Sequence, residues 1–251
     1  MTLATAIALL VLASPAETIG PPTDPLADLA ATLGRLGATQ PVRARVDHRF
    51  TSSQGDDPPN PEGLVTAVAT AGAEGLQVTW SRELLAEAER EEANLASAPD
   101  ARTPVRDALF DLRVVTVGRV LDAAPELLRA LQGAELLEAR DEAWGGAPAR
   151  LLVFKVIPRL GARERRYVKS VQATARVWLG PDGVPLAAEQ EIRAKGRAFL
   201  IITFEVEQRD RLRFSLEGDR LVTLHRESEQ RSAGAGEKSW RRSVTDVAPL
   251  P

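Results

Sequence analysis

The sequence has no cysteine and only two histidines, at positions 48 and 225. The absence of cysteine excludes disulfides, thiolate metal sites, cysteine nucleophiles and a lipid-modified N-terminal cysteine. Two distant histidines leave zinc sites and catalytic triads without support from spacing. The net charge is −3, so no basic field favours nucleic acid as a partner. Composition therefore points away from the commonest metal, redox and nucleic-acid chemistries.

A long hydrophobic run is also missing. The longest one, residues 3–13 (LATAIALLVLA), is shorter than the roughly 20 residues that a membrane-spanning helix needs. It has the length of a signal-peptide core, and Ser14 and Ala16 supply small residues for a cleavage site. We predict a signal peptide over 1–16 and a bacterial protein that is periplasmic or secreted. Two alternatives stay open: a short buried helix of the fold, and a true start upstream of Met1, since no basic residue precedes the run.

Beyond a short tether at 17–23, the sequence predicts a single domain over 24–251. Asp24 and Pro25 are typical of a helix start, and leucines at helical spacing carry the helix to Leu36. The period then changes to two, with apolar residues alternating from Val42 to Phe50. A helical insertion is predicted at about 82–133, and the remaining chain is almost entirely strand.

These elements predict an α+β fold with about ten strands and three or four helices. One large curved antiparallel sheet, half-open and barrel-like, is expected to be covered on its concave face by helices. Strands such as 184–194 and 199–208 have one apolar face, which is typical of a sheet with one covered side. A separate strand is predicted over 211–216. A hydrophobic trough follows from this pattern. The trough could be open, filled by Leu26–Leu36, or closed.

The order of elements, together with the phrase at 177–186 (VWLGPDGVPL), resembles the LolA/LolB-like superfamily of periplasmic lipoprotein carriers. The resemblance is one of pattern over most of residues 24–247, and Phe50-Thr51-Ser52 departs from the family's usual strand ending. It implies a sheet that wraps an acyl-chain cavity under helices. It also implies the residues that line this cavity: Val42, Val46, Phe50, Leu200, Ile202 and Phe204.

Two surface features are candidate contacts for a partner or for lipid head groups. A basic stretch between strands contains Arg163, Arg165, Arg166 and Lys169, although a solvated loop is the simpler interpretation. Trp178 lies on the polar side of its strand, where it is either an edge residue under a loop or an exposed contact. His48 and His225 are expected to be core residues with one hydrogen bond each.

No catalytic constellation, cofactor site or metal site is found in the sequence. The prediction is therefore an exported, non-enzymatic protein that binds an acyl chain, a lipoprotein or another apolar ligand in its trough. The alternative is an envelope scaffold or assembly factor with a fully packed core that acts through protein contacts. A hydrolase with an unconventional carboxylate site is a third hypothesis, for which the sequence nominates no pair of residues.

Overall fold

The computed structural model describes residues 24–158, 161, 164–198 and 202–251, so the predicted signal peptide and tether lie outside the described residues. Within them, ten strands form one antiparallel sheet: β1 (Val42–Gln54), β2 (Gly63–Gly72), β3 (Gly75–Trp80), β4 (Glu135–Asp141), β5 (Arg150–Lys155), β6 (Val168–Leu179), β7 (Pro185–Ala198), β8 (Ile202–Glu217), β9 (Arg220–Gly234) and β10 (Glu237–Leu250). The strand order is β3-β2-β1-β10-β9-β8-β7-β6-β5-β4, which leaves β3 and β4 as open edges. The predicted α+β class with one large curved antiparallel sheet is confirmed.

In the described part of the chain, six helical segments accompany the sheet: α1 (Pro25–Arg35), α2 (Arg82–Leu95), α3 (Pro104–Asp111), α4 (Val114–Leu121), α5 (Ala124–Leu131) and the single turn α6 (Glu164–Tyr167). The start of α1 follows from its sequence, because the Asp24 carboxylate accepts a hydrogen bond of 3.0 Å from the Leu26 N–H and Pro25 needs no partner there. Leu29 and Leu33 then face the sheet and are buried. The helix count exceeds the expected three or four.

The helices cover one face of the sheet, here called the concave face, and divide its core into two clusters. In the first cluster, α1 and α5 pack with strands β5–β9 around Phe154 and Leu221. In the second, α3 and α4 pack with β1, β2 and β10 around Val46 and Val117. The approach of α3 is close, because a Cβ on Gly63 of β2 would lie 1.8 Å from the Pro104 carbonyl oxygen. Only glycine fits at this contact.

On the opposite, convex face, the register of β7 and β8 places opposite charges beside each other. Four directly opposed pairs on β7 and β8 all join opposite signs: Glu189–Arg211, Glu191–Arg209, Arg193–Glu207 and Lys195–Glu205. A shift of the register by one residue would send these charges to the concave face. The pattern also explains why β8 is one continuous strand, whereas the sequence predicted two strands ending at Gln208 and beginning at Arg211.

A turn at the end of the sheet fixes the linker between α1 and β1. The Asp219 carboxylate accepts hydrogen bonds from the backbone N–H groups of Thr39 and Gln40 and from the Thr39 hydroxyl, at 2.6–3.1 Å. These hydrogen bonds lower the pKa of Asp219 to about 2, and the one from the Thr39 hydroxyl has the largest effect. The buried Arg220 donates to the carbonyl oxygens of Ala38 and Gln40. The linker therefore has its polar backbone groups satisfied by the β8–β9 turn.

Candidate ligand site on the concave face

A partly open cavity of about 110 Å³ lies where the helix cover is incomplete. Helices α4 and α5 form its roof and strands β6–β9 form its floor. Its wall is mainly apolar and includes Val120, Leu127, Val177, Ala188, Leu212 and Phe214. A closed apolar cavity of about 150 Å³ accommodates benzene, and the present space is smaller and partly open. The space is therefore suited to a small apolar group.

One end of the cavity is polar. Asp210 is only 5% exposed, and its carboxylate accepts hydrogen bonds from the Gln208 amide (2.7 Å) and the Arg226 guanidinium (3.3 Å). The burial of this carboxylate is compensated because both of its oxygens have a donor. At the roof, Arg119 of α4 and Glu126 of α5 form an ion pair of 3.2 Å. The cavity thus has an apolar body, and the charged residues at its border are paired with opposite charges.

A second space on the concave face is larger and polar. This cleft of about 860 Å³ lies between the ends of β1 and β10 and the loop before α3. Its floor includes Phe50, Ser52, Ser239 and Arg241, and α3 contributes Asp111 to its wall. The concave face therefore changes from apolar under the helices to polar at its uncovered end.

A buried histidine lies between the two spaces. His48 is 1% exposed, with Nδ1 2.9 Å from the Thr245 hydroxyl and Nε2 3.1 Å from the Asp111 carboxylate. These three residue types are those of a nucleophilic triad, but their placement is reversed. The hydroxyl is buried and the carboxylate side chain is 36% exposed, whereas catalysis needs an accessible hydroxyl. The arrangement instead ties the end of α3 to the sheet. It also gives His48 two partners, where the sequence predicted one.

Of the residues predicted to line the trough, the four whose side chains the structure describes do not form one surface. Val42 and Val46 are buried in the second cluster under α3 and α4, while Phe50 packs at its margin and lines the polar cleft. Phe204 lies near the start of β8, and its ring occupies the place that a Cβ on Gly196 would need. Leu200 and the side chain of Ile202 lie outside the described residues.

The predicted contact residues are only partly described. Arg166 in α6 and Lys169 at the start of β6 are exposed, whereas Arg163 and the side chain of Arg165 lie outside the described residues. Trp178 is 5% exposed and packs against Trp144 with ring centroids 4.5 Å apart. Of the two interpretations of Trp178, burial under a loop is therefore the one that the structure shows.

The Trp178 indole N–H donates to Glu142 at 2.9 Å. This hydrogen bond and a second one from Arg140 lower the pKa of Glu142. Burial under the segment 142–149 explains why an aromatic residue occupies the polar face of β6.

The sequence pattern does not predict the cavity. Asp210 lies in the predicted break between two strands, although Val206, Gln208, Asp210 and Leu212 continue the alternation of the concave face. That continuity is the signal that could have revealed the polar end. The helical side of the cavity has no such signal, because the sequence does not say where α4 and α5 sit on the sheet.

Within residues 24–158, 161, 164–198 and 202–251, no group of three His, Asp or Glu side chains is arranged to hold a metal ion. In the same part of the chain, none of the helices has the length and apolar character needed for a membrane crossing. No protein-family model, curated protein or solved structure significantly matches this sequence.

Proposed function

We propose that this protein binds an apolar or amphipathic ligand on its concave face, with the apolar part of the ligand in the cavity between α4–α5 and β6–β9. The observation that carries the proposal is the space of about 110 Å³ with a mainly apolar wall, bordered at one end by the Asp210–Arg226 pair. A largely apolar pocket with a few placed polar groups is the usual form of a small-molecule site.

A ligand longer than the cavity requires the roof to move. The Arg119–Glu126 ion pair joins α4 to α5, but both side chains are nearly half exposed, so the pair contributes at most about 1 kcal/mol. Helix α5 has eight residues and no side-chain N-cap hydrogen bond. Opening this roof breaks few polar contacts, but α5 also buries Ala124 and Leu131 in the first cluster. An acyl chain that displaces α5 must therefore replace those apolar contacts with its own.

The predicted signal peptide places this activity outside the cytoplasm. A bacterial periplasmic or secreted protein with such a site would act as a carrier or sensor of a lipid, a lipoprotein acyl group or another apolar compound. The resemblance to lipoprotein carriers supports the same class of ligand, whereas the carried molecule itself is left to experiment.

The test is to express the chain with its leader, purify the protein from the periplasm, and combine native mass spectrometry with organic extraction. We expect a stoichiometric adduct that is released by solvent and identified as a lipid or other apolar compound. A matched preparation of the Ala188→Leu variant, which fills the cavity, should carry less adduct. A clean apo mass for the wild type, with no extractable ligand and no binding of added fatty alcohols, would contradict the proposal.

A second candidate, a scaffold that contacts another envelope protein, is favoured by an exposed apolar corner. Phe110, Val114 and Val115 lie where α3 meets α4, and 66% of Phe110 is accessible. A photo-crosslinking residue in place of Val115 should then capture one partner in cells. The matched control is the same residue in place of Leu64, which is also exposed but lies on β2. Equal capture at both positions, or none at either, would contradict this candidate.

A further inference from the structure

The two faces of strands β7–β10 differ in how many charged residues they carry and in how these are paired. On the convex face, the charges of β7 and β8 are matched by opposite charges in register, as described above. The inward-facing residues beyond the helix cover are mostly neutral, and include Gln208, Ser228, Gln230, Ser232, Ser239 and Ser243. Asp210 and Arg226 neutralise each other there. Arg241 stands apart from this pattern.

Arg241 is an exposed residue on the floor of the polar cleft. On β10 it is directly opposite Ser52 of β1 and Gln230 of β9, and it shares its face with Thr245, whose hydroxyl reaches the buried His48. Among the described residues it has no ion pair and no side-chain hydrogen bond, although two neighbouring serines, Ser239 and Ser243, lie on the same face of its strand. A guanidinium with hydroxyl neighbours and no carboxylate is suited to an incoming anion.

The carboxylates of the cleft do not occupy this position. Asp107 accepts hydrogen bonds from Thr103 and Arg106, and Asp111 is bound to His48. Two further carboxylates, Asp57 and Asp100, belong to exposed loops. These loop carboxylates would favour a cation, and the probes of the test therefore include one.

We propose that Arg241 binds the acidic head group of the ligand whose apolar part lies in the cavity, an inference that rests on the proposed function. Arg226 lines the cavity and is directly opposite Thr245 on β10. Arg241 precedes Thr245 by four residues on the same strand. At the usual rise per residue of a strand, the Cα atoms of Thr245 and Arg241 are about 13 Å apart. The ligand is therefore an amphipathic acid with a buried apolar end, and its carboxylate or phosphate lies beyond the polar floor formed by Ser228 and Ser243.

The test is calorimetric titration of the full-length protein with four probes that share one chain: dodecanoate, dodecyl phosphate, dodecanol and dodecyltrimethylammonium. We expect the wild type to bind an acidic probe about ten- to a hundredfold more tightly than dodecanol, the range expected for charge-assisted hydrogen bonds. Arg241→Gln should abolish that preference while leaving the dissociation constant of dodecanol unchanged. Arg231→Gln, an exposed arginine on the convex face, is the matched control and should keep it.

The outcomes separate the inference from the proposed function. If dodecanol binds and Arg241→Gln leaves the acid preference unchanged, Arg241 is not the head-group site, while the cavity remains. Tighter binding of the ammonium probe would also overturn the inference and would assign the head group to the loop carboxylates. If no probe binds, both proposals are wrong. The stronger of the two acidic probes shows whether the natural group is a carboxylate or a phosphate.

Discussion

Ala188 is the position at which one substitution can distinguish an empty cavity from a filled core. Its side chain lies in the wall of the cavity, whereas that of its neighbour Ala187 faces the convex side and is fully buried against Leu151 and Trp178. Replacement of each alanine by leucine adds the same three carbon atoms at adjacent positions of the same strand. The two variants therefore differ mainly in whether space is present.

The expected gain for Ala188→Leu can be worked out in two ways. Burying three methylene-sized groups stabilises by about 2.4 kcal/mol at most. Filling a cavity of 110 Å³ at about 24 cal/mol per Å³ stabilises by about 2.6 kcal/mol at most. Because a leucine rotamer will not match the cavity shape fully, we expect a net gain of about 1–2 kcal/mol. This corresponds to an increase in Tm of about 2–8 °C for a chain of this size.

The assay is urea unfolding at equilibrium, supported by calorimetric melting in the absence of ligand. Ala187→Leu should lower the free energy of unfolding by about 1–3 kcal/mol, because its surroundings are already packed. Opposite signs for the two variants would support an empty cavity. If Ala188→Leu destabilises the protein as much as Ala187→Leu does, the space under α4 and α5 is not available and the reasoning is wrong.

Three further predictions concern the scaffold. Phe154→Ala removes a fully buried ring and should lower the free energy of unfolding in urea by about 3–5 kcal/mol; a loss below about 1 kcal/mol would contradict the packing described. Arg220→Met leaves two carbonyl oxygens of the α1–β1 linker without their donor and should lower it by about 1–3 kcal/mol, so unchanged stability would contradict the role of Arg220. Because the pKa of Asp219 is lowered from 3.8 to about 2, the wild type should exceed Asp219→Asn in stability above about pH 5, and this difference should disappear as the pH falls through 2. A difference that stays constant down to pH 2 would contradict that account.

The sheet was largely predictable because its signal is local. In β1, Ala44, Val46 and His48 alternate with charged residues, and all three are buried as that alternation predicts. The start of α1 was predictable for the same reason, since Asp24 and Pro25 specify a cap with neighbours only. Elements of this kind need no knowledge of the rest of the chain.

The continuity of β8 was not predictable, because its explanation is not local. Arg209, Asp210 and Arg211 are typical of a turn when considered alone. In the sheet, Arg209 and Arg211 face Glu191 and Glu189 of β7, while Asp210 points to the other face and meets Arg226 of β9. Only the register of three strands shows that these charges are compensated.

The candidate site could not be predicted from the sequence, for a related reason. Its wall joins Val120 of α4 to Val177 and Phe214 of the sheet, so residues far apart in the chain create the space together. The alternation of a strand shows which side chains face the concave side. It does not show whether a helix fills the space above them.

The measurement that tests the central claim most directly is a methyl NMR titration of the wild type with dodecanol, a neutral ligand. The account predicts saturable shifts at Val120, Leu127 and Val177 in the cavity wall, with Val46 in the second cluster unaffected. In Ala188→Leu the same shifts should be weakened or lost. Shifts confined to exposed residues such as Leu64, or equal shifts in the variant, would contradict binding in the cavity.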